Sequence, residues 1–212
     1  MQMAHALGID IEAGFLAAPV PENDAIRVAA LHDSGLLDGR AQPLLEAVSR
    51  RVADIFDVPI AMVWLIDAEQ QQVSALFGQP PQQEPGSGVS PPSLRAEDLQ
   101  MPRAASLCGH VVAKVRTMVV PDMARGMRFY AGAPLRDAEQ HALGTLCILD
   151  VKPRSLTRRE LALLESMADE LMTQLRAQGF GLGRYDIRGA GCDAAALRNG
   201  RAAAAVRKLR GQ

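Results

Sequence analysis

Cysteine is scarce in this chain of 212 residues: three occur, at positions 108, 147 and 192. They are too few and too scattered to frame a disulfide scaffold, and an odd count leaves one thiol over, so a reducing cytoplasm is the expected compartment. No stretch reaches ~18 uninterrupted apolar residues, which excludes a membrane-spanning helix. The first 21 residues contain no Lys or Arg and carry Asp10 and Glu12, so a secretion signal is not expected there. Catalytic strings are missing too. No Gly-x-Ser-x-Gly, His-Glu-x-x-His or Gly-Lys-Ser/Thr pattern organises the four histidines at 5, 32, 110 and 141, which argues against the hydrolase, zinc-protease and phosphate-loop chemistries those patterns serve. An excess of one charge is also lacking, with 23 basic against 24 acidic residues, so the chain as a whole is not built to coat nucleic acid.

What is present is uneven. From Arg176 onward eight basic residues face two Asp, a net of +6, which leaves −7 for residues 1–175. An apolar fraction of 48% is enough for one substantial core. The expected organisation is a leader over 1–21, a domain over 22–175, and a basic Ala/Gly/Arg-rich tail over 176–212, whose alanine content from 193 on is compatible with a helix.

Within the domain, a first helix is expected from Asn23, with Ile26, Ala30 and Leu31 on one stripe and Gly35 ending it. A second starts at Pro43, with Leu44, Leu45, Val48, Val52, Ile55 and Phe56 at spacings of three and four. Ile60 to Ile66 and Val73 to Phe77 read as strands, and the short turn at Asp67, Ala68 and Glu69 forces antiparallel pairing. Residues 79–103 hold six of the thirteen prolines, so a Pro-rich inserted loop without ordered strands is expected over 79–105. Ser106 caps a helix, Met118 to Val120 is a short strand, and Phe129 to Leu135 and Ala142 to Leu149 form a second hairpin. Thr157-Arg158-Arg159-Glu160 has the spacing of a capping box, followed by Leu161, Leu164, Ala168, Leu171 and Leu175. The sum is an α+β fold, an antiparallel sheet flanked by helices. Gly179-Phe180-Gly181-Leu182-Gly183 follows a helix and opens no βαβ unit, so it reads as a helix C-cap and hinge rather than a nucleotide loop.

Several strings then resemble one family: D-S-G-L-L-D at 33–38, V-P-I-A-M-V-W-L-I-D at 58–67, S-L-C-G-H at 106–110, V-V-P-D at 119–122, R-F-Y-A-G-A-P-L at 128–135 and G-T-L-C-I-L-D at 144–150. In this order the chain resembles a bacterial GAF domain. The resemblance implies a six-stranded antiparallel sheet with the N- and C-terminal helices on one face and a small-ligand pocket on the other. It implies a regulatory or sensory module for cyclic nucleotides, tetrapyrroles, haem or small organic molecules, with the first and last helices packing on a homodimer or protein partner. It would also place Cys108, His110, Phe129 and Tyr130 near the pocket wall. Two departures stand out. The stretch between V-V-P-D and R-F-Y-A-G is only Met123 to Met127, far shorter than in relatives of this type, and the loop before S-L-C-G-H is far longer.

The remaining chemistry is sparse. Cys108 and His110 form a Cys-x-His pair at a helix start, where amides and the helix dipole lower a thiol pKa. Two such residues are too few for a zinc site, and no metal is expected. Cys147 lies on an inner strand and Trp64 on the first strand, both candidates for the pocket side. Arg198, Arg201, Arg207, Lys208 and Arg210 make a basic tail for an acidic partner, with nucleic acid unlikely because from residue 184 on Tyr185 is the one aromatic. The expected function is a non-catalytic regulatory or assembly module working through protein contacts, requiring no cofactor. The alternatives are a small-molecule sensor and a thiol redox enzyme of the free methionine sulfoxide reductase type.

Overall fold

Twelve segments of regular structure form among the described residues. The computed structural model describes residues 16–78, 100–123 and 127–183. In chain order it contains α1 (Asp24–Asp33), a 3-10 turn (Leu36–Asp38), α2 (Gln42–Phe56), β1 (Ile60–Ile66), β2 (Gln70–Gly78), β3 (Gln100–Pro102), a second 3-10 turn (Arg103–Ala105), α3 (Leu107–Lys114), β4 (Met118–Val120), β5 (Phe129–Arg136), β6 (Ala142–Asp150) and α4 (Arg158–Ala177). The strands form one sheet in the order β3-β2-β1-β6-β5-β4, with every neighbouring pair antiparallel. Leader residues 1–15, loop residues 79–99 and tail residues 184–212 lie outside the described residues.

The central strands β1, β5 and β6 are buried almost throughout, and their period of two divides the interior into two layers. Ala61, Val63 and Leu65 face one side with Phe129, Ala131, Leu146 and Ile148, and there α1, α2 and α4 cover the sheet through Leu31, Leu45, Val52, Leu164, Leu171 and Leu175. Ile60, Met62, Trp64 and Ile66 face the other side with Tyr130, Cys147 and Leu149, where α3 is the one α-helix that packs among the described residues. The first and last helices therefore share a face, as expected. A bulge in β2 opposite Val63 and Trp64 switches the strand between layers, so that Val73 joins the α3 side and Ala75 the other.

The capping box at α4 is formed: Glu160 N donates to Thr157 Oγ1 at 3.2 Å and Thr157 N donates to Glu160 Oε2 at 2.7 Å. Four expectations change. First, an ordered strand does occur within 79–105, because β3 is an edge strand that pairs on one side with Gln70, Gln71 and Gln72, so the missing N–H of Pro102 at its end costs nothing. Second, Ile26 is exposed and Arg27 takes its place inside; a polar network satisfies that guanidinium, as described in the Discussion. Third, Ile55 of α2 is also exposed, since Phe56 and Val52 already fill the stripe.

The fourth concerns the glycine segment. The C-cap reading holds: Gly179 has φ 87, its N–H donates to Arg176 O, and Phe180 N donates to Leu175 O, the two bonds of a Schellman ending. The hinge does not. Phe180 and Leu182 are buried in the main core, and Gly181 N donates to Ser34 O at 2.9 Å. A Cβ at Gly181 would sit 2.9 Å from Asp33 O, so glycine permits this return of the chain.

Candidate functional site

The layer under α3 carries the polar and sulfur chemistry. Ser106 fixes where α3 begins: its Oγ accepts from Gly109 N at 2.8 Å and donates to Gln71 Oε1 of β2 at 2.6 Å. That entry points Cys108, in the first turn, down onto the sheet. Gly109 lies under the leader, where an added Cβ would come 2.4 Å from Arg103 O and 2.8 Å from Ala18 Cβ. The described end of the leader, residues 16–21, packs on the domain: Ala18 is buried and its N–H donates to Ala104 O at 2.9 Å.

Beneath Cys108 lie Tyr130 of β5 and Cys147 of β6. Cys108 Sγ is 3.3 Å from Tyr130 Oη. Tyr130 reaches that position by folding over its neighbour on the same face, Gly132, where a Cβ would come within 2.2 Å of Oη. Cys147 pairs across the sheet with Met62 and Gly132. Trp64 closes the cluster from β1, lining the same cavity as the Cys147 sulfur. Thr145, fully buried on β6, has a hydroxyl without a hydrogen-bond partner among the described residues.

These groups surround a cavity of about 30 Å³, also lined by Met62, Met101 and Leu107. That is the room of a single water. Trp64, Cys108, Tyr130 and Cys147 are therefore brought together. Two other candidates are not. Phe129 is on the opposite face of β5, fully buried against the helices. His110 lies two residues past Cys108, about 200° around the helix, and its Nε2 donates to Leu16 O at 2.7 Å on the outside. Arg198, Arg201, Arg207, Lys208 and Arg210 lie outside the described residues. Met62, Met101, Leu107 and Gln71 were not expected; alternation along β1 signals Met62, whereas nothing local signals Met101 inside a proline-rich stretch.

The short connection from β4 to β5 adds to the filling. Met123 N donates to Arg128 O at 2.7 Å, closing the strands tightly, and Met127 is buried in the α3 layer. A larger cleft of about 300 Å³ opens at the β2–β3 end of the sheet, lined by Asp67, Gln70, Gln71, Gln72 and Gln100 with Leu37 and Leu65. The run of three glutamines was its sequence signal. Among the described residues no group of three or more His, Cys, Asp or Glu is placed to hold a metal ion.

Burial opposes ionisation of Cys108, yet the neighbouring Cys147, Thr145 and Tyr130 side chains outweigh it and set its pKa below the usual thiol value. Burial, and then the neighbouring Cys108, pushes Cys147 well above 9.0. Burial and then the charge on the two cysteines push Tyr130 well above 10.0. A group whose pKa is raised by folding contributes stability below its unfolded value and loses it as pH rises. Cys108 has the opposite sign, but its contribution is complete once pH exceeds the unfolded thiol value. Stability should therefore fall from about pH 9 upward. Urea midpoints measured between pH 7 and 11 check this, and a flat profile would contradict it.

The geometry can now be set beside known proteins. The GAF domain family model matches residues 40–175. Cyclic di-GMP phosphodiesterase PA2567 of Pseudomonas aeruginosa is 28% identical over an aligned length of 172, the match covering 74% of this chain and 26% of that protein. The chain thus spans about a quarter of that relative's length. Among solved structures, the GAF domain from Acinetobacter phosphoenolpyruvate-protein phosphotransferase has a TM-score of 0.51 at 14% identity, covering 72% of this chain and 94% of that one. Bacteriophytochrome RpBphP3 from R. palustris has a TM-score of 0.50 at 15% identity, covering 72% and 36%. Such identities show a shared fold. With a family model spanning the sheet and the helices α2, α3 and α4, the chain belongs to the GAF domain family.

Proposed function

We propose that this chain is a non-catalytic regulatory module of bacterial signalling that acts through protein contacts, with the family's pocket position filled by its own side chains. The observation that carries the reading is the 30 Å³ cavity between α3 and the sheet. Small-molecule sites usually enclose about 300 to 1,000 Å³, so a cyclic nucleotide or tetrapyrrole is too large by an order of magnitude. A sensor would require Met101 and Leu107 to swing away. A thiol reductase would require substrate to reach Cys108, which is buried. The match to about a quarter of a cyclic di-GMP phosphodiesterase supports a role beside cyclic-dinucleotide enzymes, modulating an output carried by another protein.

The contact regions we propose are the loop 79–105, the outer faces of the first and last helices, and the basic tail. No helix among the described residues is long and apolar enough to cross a membrane. The test is crosslinking with mass spectrometry on the tagged full chain expressed in its host. The expected result is a defined protein partner crosslinked to residues 79–105 or 176–212, with capture lost when Arg198, Arg201, Arg207, Lys208 and Arg210 are changed to Glu. Capture of nothing, together with co-purification of a small molecule, would overturn the reading.

A further inference from the structure

Two cysteines 39 positions apart in sequence line one small cavity. Cys108 comes from the first turn of α3 and Cys147 from the middle of β6. Both are buried and both line the same cavity. Packing alone does not call for sulfur at both positions, since a small aliphatic side chain would fill either without the Tyr130 hydroxyl 3.3 Å away. The two are also unlike each other. The side chains around Cys108 favour its thiolate, whereas Cys147 is held protonated by burial. One nucleophile beside one protonated partner is the arrangement that carries a two-step oxidation. The adjoining space, the size of one water, admits only a very small oxidant.

We propose that Cys108 and Cys147 form a reversible disulfide in response to a small hydroperoxide, joining α3 covalently to β6. In the first step the Cys108 thiolate attacks a peroxide oxygen. An S–O bond forms, the O–O bond breaks, and the departing oxygen takes up a proton to leave as water or alcohol. In the second step the Cys147 sulfur attacks Cys108 Sγ. The S–S bond forms, the S–O bond breaks, and the hydroxyl leaves as water with the Cys147 proton. Two thiols are oxidised by two electrons in all and the peroxide is reduced by the same two. The bridge would lock the wall residue Leu107 and the Ser106–Gln71 contact in place, so its formation changes the mobility of α3 and of the leader packed on it. This inference does not depend on whether the module's output is a protein contact.

The three cysteines lie on three different tryptic peptides, beginning after Arg103, Arg136 and Arg188. Purified reduced full chain is treated with a few equivalents of hydrogen peroxide, alkylated, digested without reductant and read by mass spectrometry. The linked Cys108–Cys147 peptide is expected as the main form of both cysteines, disappearing with dithiothreitol. In Cys147→Ser the product is instead a sulfenic acid at Cys108 that dimedone traps once the chain is unfolded in its presence, and in Cys108→Ser the Cys147 thiol stays unmodified. Because the wild-type chain itself supplies the decisive reading, a variant that fails to fold does not remove the test. Free thiols at both positions after treatment, irreversible oxidation of Cys108 without linkage, or linkage through Cys192 would overturn the proposal.

Discussion

Gly144→Ala is expected to destabilise the folded chain by about 3 kcal/mol or more, a large part of the 5–15 kcal/mol that holds a typical domain together. Gly144 sits where β6 passes between Leu65 of β1 and Leu135 of β5. A Cβ there would lie 2.1 Å from Trp64 O, 3.1 Å from Trp64 C and 3.3 Å from Leu65 Cα. All three are backbone atoms in the middle of the sheet, so no rotamer change relieves the clash, and β1 and β6 must part. Trp64 and Leu65 belong to opposite layers, which means the separation disturbs both cores at once. Urea unfolding followed by circular dichroism measures the loss. An unchanged midpoint would show that β1 and β6 do not approach in this register.

Asp24→Ala is expected to cost about 3–5 kcal/mol, the usual effect of removing one partner from a buried ionic cluster. The Asp24 carboxylate accepts from Arg27 Nε at 2.9 Å, Arg27 NH2 at 2.7 Å and Arg103 NH1 at 2.9 Å. Arg27 is 1% exposed and Arg103 is 7% exposed, and burial already pulls the Arg27 pKa down. Arg27 also donates to the carbonyls of Ile66 and Asp67, while Arg103 N donates to Glu69 O. One carboxylate therefore binds α1 to the β1–β2 turn and to the segment that leads into α3. Without it two guanidinium groups would face each other uncompensated, and the N-terminal half of the chain would loosen from the sheet. Asp24→Asn keeps an acceptor but not the charge and should lose less. Urea midpoints of the two variants provide the comparison, and a loss under about 1 kcal/mol for Asp24→Ala would place it in the range of an exposed ion pair.

Much of this fold was legible because the elements that build it are strongly patterned. The stripe and capping box of α4, the unbroken apolar run of β1, and the two hairpins required only local rules. What escaped depended on distant partners. Arg27 looks like a surface residue of α1 until Ile66, Asp67 and Asp24 are in place around it. β3 has three residues with a proline at its end, and only the facing glutamines of β2 make it a strand. Phe129 and Tyr130 are adjacent on a strand buried on both faces, so alternation says that they point apart but not which one meets the pocket. In α3 the helical phase separates His110 from Cys108, and a motif of neighbouring letters conceals it. The four residues the structure does gather, Trp64, Cys108, Tyr130 and Cys147, come from four different elements. The family resemblance pointed to Cys108 and Tyr130 and strand alternation to Trp64 and Cys147, whereas the closure of the space between them by Met101, Leu107 and Met62 was not predictable at all.

That closure is what separates a contact-driven module from a ligand sensor, and a thermal-shift measurement addresses it directly. The purified chain is melted with cyclic AMP, cyclic GMP, cyclic di-GMP, haem and biliverdin, each over a wide concentration range. A ligand present at 100 times its Kd stabilises by about 2.7 kcal/mol, roughly 5–10 °C in Tm for a domain of this size. A filled pocket gives no concentration-dependent change with any of them. A saturable rise with one, lost when Leu107 or Met101 is replaced by a larger side chain, would show that the cavity opens and that the chain is a small-molecule sensor after all.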